Sequence, residues 1–142
     1  MNKLEVEKDV VVKRMDGIQG EVAELRTLAQ IPFEEFQAGV GVKLAHYHLH
    51  RALEGVFHIA THILSRIPGA EAVEYKEIAR KLGEHGIVEK TFADKQLVEM
   101  AKYRNRLVHF YAEITAEEIY KILQNDLGDF DTFLAGVKNI LE

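Results

Sequence analysis

The side chains best suited to chemistry lie in the segment 100–112, where basic and titratable residues follow one another with no acidic neighbour. They are Lys102, Arg104, Arg106 and His109. A guanidinium can hold a phosphate through two donors and neutralise negative charge that grows during a reaction. An imidazole changes charge near neutral pH and can therefore move protons. The charge pattern thus fits either a local site for one or two phosphates or a solvated helix face.

The spacing of Arg104 and His109 leaves a structural interpretation open. Arg104 follows Met100 and Ala101 on the apolar stripe of a predicted helix, where a guanidinium is costly unless it is paired or borders a water-filled cleft. On a continuous helix His109 would point ~140° away from Arg104. The two side chains converge only if the helix unwinds near His109, or if a second subunit supplies its own copy. Otherwise Arg104 pairs with an acid and His109 caps helix-end carbonyls.

The octapeptide Arg104-Asn-Arg-Leu-Val-His-Phe-Tyr111 resembles the Arg-x4-His-x-Tyr signature of HepT-type toxins in the HEPN superfamily. Asn105 fits the polar position that follows the arginine. The likeness continues upstream in the segments 75–88 and 97–105, and in Arg51-Ala-Leu-Glu and His62-Ile-Leu on the predicted second helix. It covers about residues 43–125.

The resemblance implies a small, helical, two-fold dimeric and metal-independent endoribonuclease that needs no cofactor. It would be the toxin of a toxin–antitoxin pair, and a minimal nucleotidyltransferase would be its antitoxin. RNA supplies the nucleophile, its own 2′-hydroxyl. Arg104 would hold the scissile phosphate, His109 would move protons, and Asn105 would orient either group. A dimer would place two copies of each in one cleft.

The same resemblance assigns a modification to Tyr111. The antitoxin would transfer AMP to this tyrosine, and the added anion would compete with RNA for the neighbouring arginine. Packing of Tyr111 at the helix end is the structural alternative. Further RNA contacts are expected from Arg106 and Lys102, and from Arg51 and His46 on the second helix.

A row of residues on the second helix could also bind a metal ion. The row repeats every four residues and consists of His46, His50, Glu54, His58 and His62. Histidine pairs at this spacing can bind transition metals. The row drifts ~40° per step, however, so its members cannot all reach one ion. We therefore expect no metal site, and expect the row either to fill an amphipathic helix face or to line a cleft from a facing helix.

Apolar residues recur at helical spacing throughout the chain, and no segment alternates as a strand does. The pattern predicts an all-α, up-and-down bundle of about five helices in a single domain, 1–142. The predicted helices are 11–29, ended by Pro32; 42–67, ended by Pro68; 72–85, with Gly86 following; one capped by Thr91; and one reaching Leu141 from a capping box at Thr115 and Glu118. Residues 33–37 are expected to form a short turn.

Composition limits the function further. The 142 residues include no Cys, which excludes thiolate zinc sites, Cys nucleophiles and redox dithiols. Residues 1–112 hold 16 acidic and 16 basic side chains, whereas residues 113–142 hold 7 and 2, which gives the net charge of −5. Such a chain does not coat nucleic acid by bulk charge, so no DNA partner is expected. The charged N-terminus has no signal-peptide core and no segment is long enough to span a membrane, so we expect a cytoplasmic protein.

Two other classes of protein fit part of this pattern. The first is a non-catalytic dimeric module of the same pair that binds a nucleotide or a partner through Arg104 and His109. The second is a structural helical bundle with an ion pair at a helix end. Cleavage of RNA separates the enzyme from both.

Overall fold

The computed structural model describes residues 4–109 and 113–142, and within them every regular element is helical. The helices are α1 (Lys8–Ala29), α2 (Phe33–Ala38), α3 (Gly41–Ser65), α4 (Tyr75–Glu84), α5, α6 (Ala116–Asn125) and α7 (Gly128–Leu141). Helix α5 is composite: Lys90–Phe92, the π-helical segment Ala93–Leu97, and Val98–Val108 follow one another without interruption. The predicted all-α class is confirmed, and the two-fold dimer stays a prediction.

Helices α1 and α3 form the most extensive helix pair of the fold. Arg14 contacts His58, and Glu21, seven residues later on α1, contacts Arg51, seven residues earlier on α3. The two helices are therefore antiparallel. Their buried faces contribute Ile18, Leu25 and Leu53, each at most 1% exposed, to one continuous apolar core.

Most predicted helix ends agree with the structure. Gly86 follows the end of α4 with φ +72°, and the amides of Gly86 and Ile87 donate to the carbonyls of Gly83 and Leu82. This is the Schellman arrangement that favours glycine. Thr115 precedes α6 as predicted, and its Oγ1 accepts a hydrogen bond of 3.1 Å from the Glu118 amide.

Three local predictions were wrong. Residues 33–38 form the short helix α2 rather than a turn, and Phe36 buries its ring completely there. The fourth predicted helix begins at Lys90 after Glu89, not at a Thr91 cap. The fifth divides near Asp126, where residues of low helix propensity interrupt an apolar stripe that continues into α7.

None of the described helices combines the length and the apolar character needed to cross a membrane.

Candidate active site

Arg104 lies on α5 and reaches across to α3 and α4. Its Nε donates to Glu54 Oε1 at 2.5 Å, and its Nη1 donates to Asn105 Oδ1 at 3.3 Å. The guanidinium carbon lies 4.0 Å from the centre of the Tyr75 ring. The side chain is 22% exposed. The cost of a charge on a core-facing stripe is therefore offset by an ion pair and by stacking.

Tyr75 is itself fixed by the core. Its ring stacks on Phe57 of α3, with centroids 4.9 Å apart and an interplanar angle of 25°. Phe57 is 1% exposed. The plane on which Arg104 rests is thus set by packing between α3 and α4.

The helix unwinds at His109, which is one of the two conditions under which the side chains of Arg104 and His109 can converge. Helix α5 ends at Val108, and His109 has the extended angles φ −100° and ψ 97°. Its amide still donates to the Asn105 carbonyl at 3.2 Å, while the residue is exposed. The predicted modification site, Tyr111, lies outside the described residues.

Glu54 is surrounded by basic side chains. Besides Arg104, the Nε2 atoms of His50 and His58 lie 3.7 Å and 3.6 Å from its two carboxylate oxygens. Arg14 of α1 lies 3.1 Å from Nδ1 of His58. Part of the histidine row thus surrounds a carboxylate. Among the described residues, no three or more side chains of metal-binding type are grouped to hold an ion.

The other members of the row lie at the two ends of α3. His62 accepts a hydrogen bond of 3.1 Å from the backbone amide of Glu7. His46, a predicted RNA contact, is half-buried in the first turns of the helix.

A groove of about 780 Å³ runs between α1 and α3 beside this cluster. Its lining includes Lys13, Arg14, Gly17, Tyr47, His50, Arg51, Glu54 and His58. Arg51, another predicted RNA contact, donates to Glu21 at 2.8 Å and lies 5.4 Å from the centre of the exposed Tyr47 ring. Burial raises the pKa of Glu21, but hydrogen bonds from Arg51 and His48 outweigh it and leave the pKa lowered.

The remaining two predicted RNA contacts lie on the other side of α5. A step of two residues turns a helix by ~200°, so Lys102 and Arg106 point away from Arg104. Arg106 donates to both oxygens of Glu118, at 2.5 Å and 2.9 Å, and to the Glu113 carbonyl. Lys102 pairs with Glu99 at 3.1 Å. Arg51 therefore lines the same groove as Glu54, the partner of Arg104, whereas Lys102 and Arg106 lie on another face of α5.

Sequence reasoning missed the partners of Arg104. The sequence places Glu54 in the histidine row and in the Arg51-Ala-Leu-Glu resemblance, and Tyr75 at the start of the segment 75–88, but it links neither residue to Arg104. Glu54 is 50 residues away from Arg104 in the chain. The four-residue spacing of His50, Glu54 and His58 was the one available signal, because it places three polar groups on one helix face.

A comparison with protein families agrees with the resemblance of the octapeptide. The family model described as "Ribonuclease HepT-like" matches residues 18–137. The chain belongs to the HepT-like family. A comparison of the chain with curated protein sequences found no match.

Solved structures share the fold of this HepT-like chain. The tri-AMPylated HEPN toxin of Shewanella oneidensis, in complex with an MNT antitoxin, has a TM-score of 0.83 at 20% identity, covering 98% of this chain and 99% of that one. YutE from Bacillus subtilis, a cytosolic protein of unknown function, has a TM-score of 0.84 at 17% identity, covering 98% and 93%. A toxin–antitoxin complex with AMP-PNP has a TM-score of 0.76 at 19% identity, covering 92% and 98%. At these identities the likeness establishes the HEPN-type fold.

Proposed function

We propose that this HepT-like protein is a metal-independent endoribonuclease and the toxin of a HEPN/nucleotidyltransferase toxin–antitoxin pair. One observation carries the proposal. Glu54 of α3 and Tyr75 of α4 hold the guanidinium of Arg104, and Arg104 lies on α5, the helix that unwinds at His109. Family membership over residues 18–137, which include the octapeptide, supports it.

The chemistry requires an anchored cation and a proton carrier. Arg104 binds the scissile phosphate and stabilises the charge that grows on its oxygens. The RNA 2′-oxygen bonds to phosphorus while the bond to the 5′-oxygen breaks, which leaves a 2′,3′-cyclic phosphate and a 5′-hydroxyl. A base takes the 2′-hydroxyl proton and an acid protonates the leaving oxygen; His109 serves in these roles. Asn105 orients Arg104 through its Oδ1.

A homodimer would divide these two roles between two copies of His109. In that arrangement the exposed His109 of each protomer faces a shared cleft, and one imidazole starts as the base while the other starts as the acid. The groove between α1 and α3, with Lys13, Arg14 and Arg51, provides charge complementary to an RNA strand. His46, Lys102 and Arg106 remain further predicted contacts.

The cognate antitoxin would silence the enzyme through Tyr111. The Shewanella toxin of the same fold was solved tri-AMPylated and with its MNT antitoxin, which supports a nucleotidyltransferase partner here. Transfer of AMP would place a phosphate two residues after His109, where it would compete with RNA for Arg104.

The test is cleavage of single-stranded RNA by the purified, unmodified protein in excess EDTA. We expect wild type to produce cyclic-phosphate ends. Arg104→Ala and His109→Ala should each lower the rate by at least roughly 10²-fold, with helicity by circular dichroism unchanged. Light scattering on the same samples measures the dimer. Undiminished cleavage by either variant would refute these roles, and binding of RNA without cleavage by a dimeric wild type would favour the non-catalytic binding module.

A further inference from the structure

We propose that Glu54 is a positioning residue that fixes the orientation of Arg104 for phosphate binding, and that His58 and Arg14 hold Glu54 in turn. The proposal deepens the ribonuclease function and rests on it for its kinetic part. The four residues form an ionic chain, Arg14–His58–Glu54–Arg104, that links α1, α3 and α5.

The donors of Arg104 show why its orientation matters. A guanidinium has five N–H donors. Within the described residues, Nε is used by Glu54 and one hydrogen of Nη1 by Asn105. In this described part of the chain, Nη2 keeps both of its hydrogens and Nη1 keeps one, so both terminal nitrogens retain a donor for phosphate oxygens. Glu54 therefore binds Nε and leaves the terminal nitrogens available to the phosphate.

Tyr75 restrains the same group in a different way. Its ring lies against one face of the guanidinium, at 4.0 Å from ring centre to Cζ, and permits rotation within that plane. The Glu54 carboxylate stops this rotation because it binds Nε. Tyr75 and Glu54 together restrain one face and the Nε edge of the guanidinium, and donors on the two terminal nitrogens remain for the ligand.

The chain continues through His58 to α1. A guanidinium can only donate, so Nδ1 of His58 accepts from Arg14 at 3.1 Å. In the neutral imidazole the proton is then on Nε2, the atom that lies 3.6 Å from Glu54 Oε2. At this distance the contact is electrostatic rather than a full hydrogen bond. It nevertheless favours one orientation of the carboxylate, with Oε1 towards Arg104 and Oε2 towards His58.

The pair is partly exposed, which limits the cost of losing it. The side chains of Glu54 and Arg104 are 23% and 22% exposed, so water can replace part of a lost contact. Glu54→Gln should fold and should act on the orientation of Arg104. An interaction that matters most in the transition state affects kcat more than KM.

Chemical rescue tests positioning directly. Arg104→Ala leaves space beside Glu54 and Tyr75 that a free guanidinium ion can occupy, at concentrations far below those that unfold proteins. We expect added guanidinium to restore about tenfold or more of the lost cleavage in Arg104→Ala. The double variant Arg104→Ala/Glu54→Gln should show no rescue. Equal rescue in both would overturn the proposal.

The kcat and KM of single variants test the same proposal by kinetics. Glu54→Gln should lower kcat by about tenfold or more with KM changed far less. His58→Ala should lower kcat by a smaller factor. Two controls should leave the rate unchanged: His62→Ala, one turn further along α3, and Asp131→Asn, whose carboxylate pairs with Arg26 at 2.5 Å between α1 and α7. An unchanged kcat in Glu54→Gln overturns the proposal, and an unchanged kcat in His58→Ala overturns its extension to α1.

A readout without cleavage separates this proposal from the ribonuclease function. The Arg104 Nε–H should give a slowly exchanging ¹H–¹⁵N signal, assigned by its loss in Arg104→Lys. In Glu54→Gln the signal should weaken and exchange faster, because the amide oxygen is an uncharged and weaker acceptor, and in Asp131→Asn it should be unchanged. If wild type does not cleave RNA but the signal behaves in this way, the ribonuclease proposal fails and the positioning role stands. A signal unaffected by Glu54→Gln contradicts the positioning role.

Discussion

Arg104 illustrates how a charged side chain is accommodated on a helix face that is otherwise apolar. Met100 and Ala101 of α5 turn the same face towards the core, yet the guanidinium stops at the edge of that face, between Glu54 and the Tyr75 ring. Half-buried positions of this kind strengthen an ion pair without the full desolvation cost of the interior. The geometry therefore suits a cation that must stay in place and still meet a phosphate.

Tyr111 is the residue at which we expect AMP to be attached. Incubation with the partner nucleotidyltransferase and ATP should add AMP to wild type and none to Tyr111→Phe, as measured by intact-protein mass spectrometry. The tyrosine oxygen attacks the α-phosphate of ATP, loses its proton and displaces pyrophosphate. Cleavage should fall in proportion to the modified fraction because the new phosphate competes for Arg104.

Tyr103 provides the matched control for this experiment. Its hydroxyl donates to Glu118 at 2.7 Å, and burial together with that carboxylate raises its pKa to about 12. Such a hydroxyl is a poor nucleophile at neutral pH, so Tyr103→Phe should accept AMP as wild type does. Equal modification of Tyr111→Phe would exclude Tyr111 as the acceptor.

The sequence predicts candidate catalytic residues but not their partners. Arg104, Asn105 and His109 are candidates because they are close together in the chain and share a family pattern. Glu54 and Tyr75 come from α3 and α4, and only tertiary packing brings them to Arg104. The spacing of residues along one helix does not indicate contacts between helices, so the sequence did not predict the ionic chain.

At the scale of elements, the end of α5 is fastened to the start of α6. Arg106 binds Glu118 with both terminal nitrogens, and Tyr103 donates to the same carboxylate. The predicted capping box is therefore only half formed: Thr115 caps the Glu118 amide, but the Glu118 side chain turns to Arg106. A two-pronged pair with an arginine is stronger than a single bond to a backbone amide. The clamp joins the two helices on either side of the connection that begins at His109.

Loss of this clamp should be visible in stability. Glu118→Gln should lower the free energy of unfolding at pH 7 by on the order of 1–2 kcal/mol, since the residue makes charged hydrogen bonds. Glu117→Gln is the control, because Glu117 lies in the same helical turn but is exposed. Urea unfolding followed by circular dichroism measures both. Equal effects of the two substitutions would mean that the helix dipole, not the clamp, is responsible.

The pH dependence of this difference has a definite sign. Hydrogen bonds from Arg106 lower the pKa of Glu118 below its ordinary value of 4.5, despite an opposing effect of burial. A lowered pKa in the folded state stabilises the protein above the unfolded-state pKa and less so as the pH falls through the folded-state pKa. The gap between wild type and Glu118→Gln should therefore be full at pH 7 and shrink below about pH 4.5. A gap that grows in acid would contradict the assigned pairing.

At the scale of the whole molecule, periodicity predicted the helical class and the longest helices well. Helix α1 lies where the apolar pattern placed it because burial of one helix face dominates its position. Helix α3 ends at Ser65, shortly before Pro68, because proline disfavours the helical conformation in the residue that precedes it. The division between α6 and α7 was missed since their apolar stripes keep one period across it. Helix α2 was missed because six residues carry too little periodic signal to distinguish a helix from a turn.

The close approach of α1 to α3 is the packing feature on which the groove and the ionic chain both depend, and glycine substitutions test it. A Cβ added at Gly55 would lie 2.7 Å from Cγ1 of Ile18, which is 1% exposed and has little room to move. Overpacking of this kind costs typically about 1–3 kcal/mol, more than the ~1 kcal/mol that alanine gains over glycine in a helix. Gly55→Ala should therefore destabilise the protein and, by displacing Arg14 on α1 from His58, lower the rate of cleavage.

Gly20 of α1 is the matched position, because no atom lies within 4 Å of a Cβ built there. Gly20→Ala should raise the urea midpoint through helix propensity alone and leave cleavage unchanged. The opposite signs expected from one chemical change separate packing from propensity. If Gly55→Ala proved as stable as Gly20→Ala, α1 would have freedom to shift over α3, and the position of Arg14 would no longer be fixed by their contact.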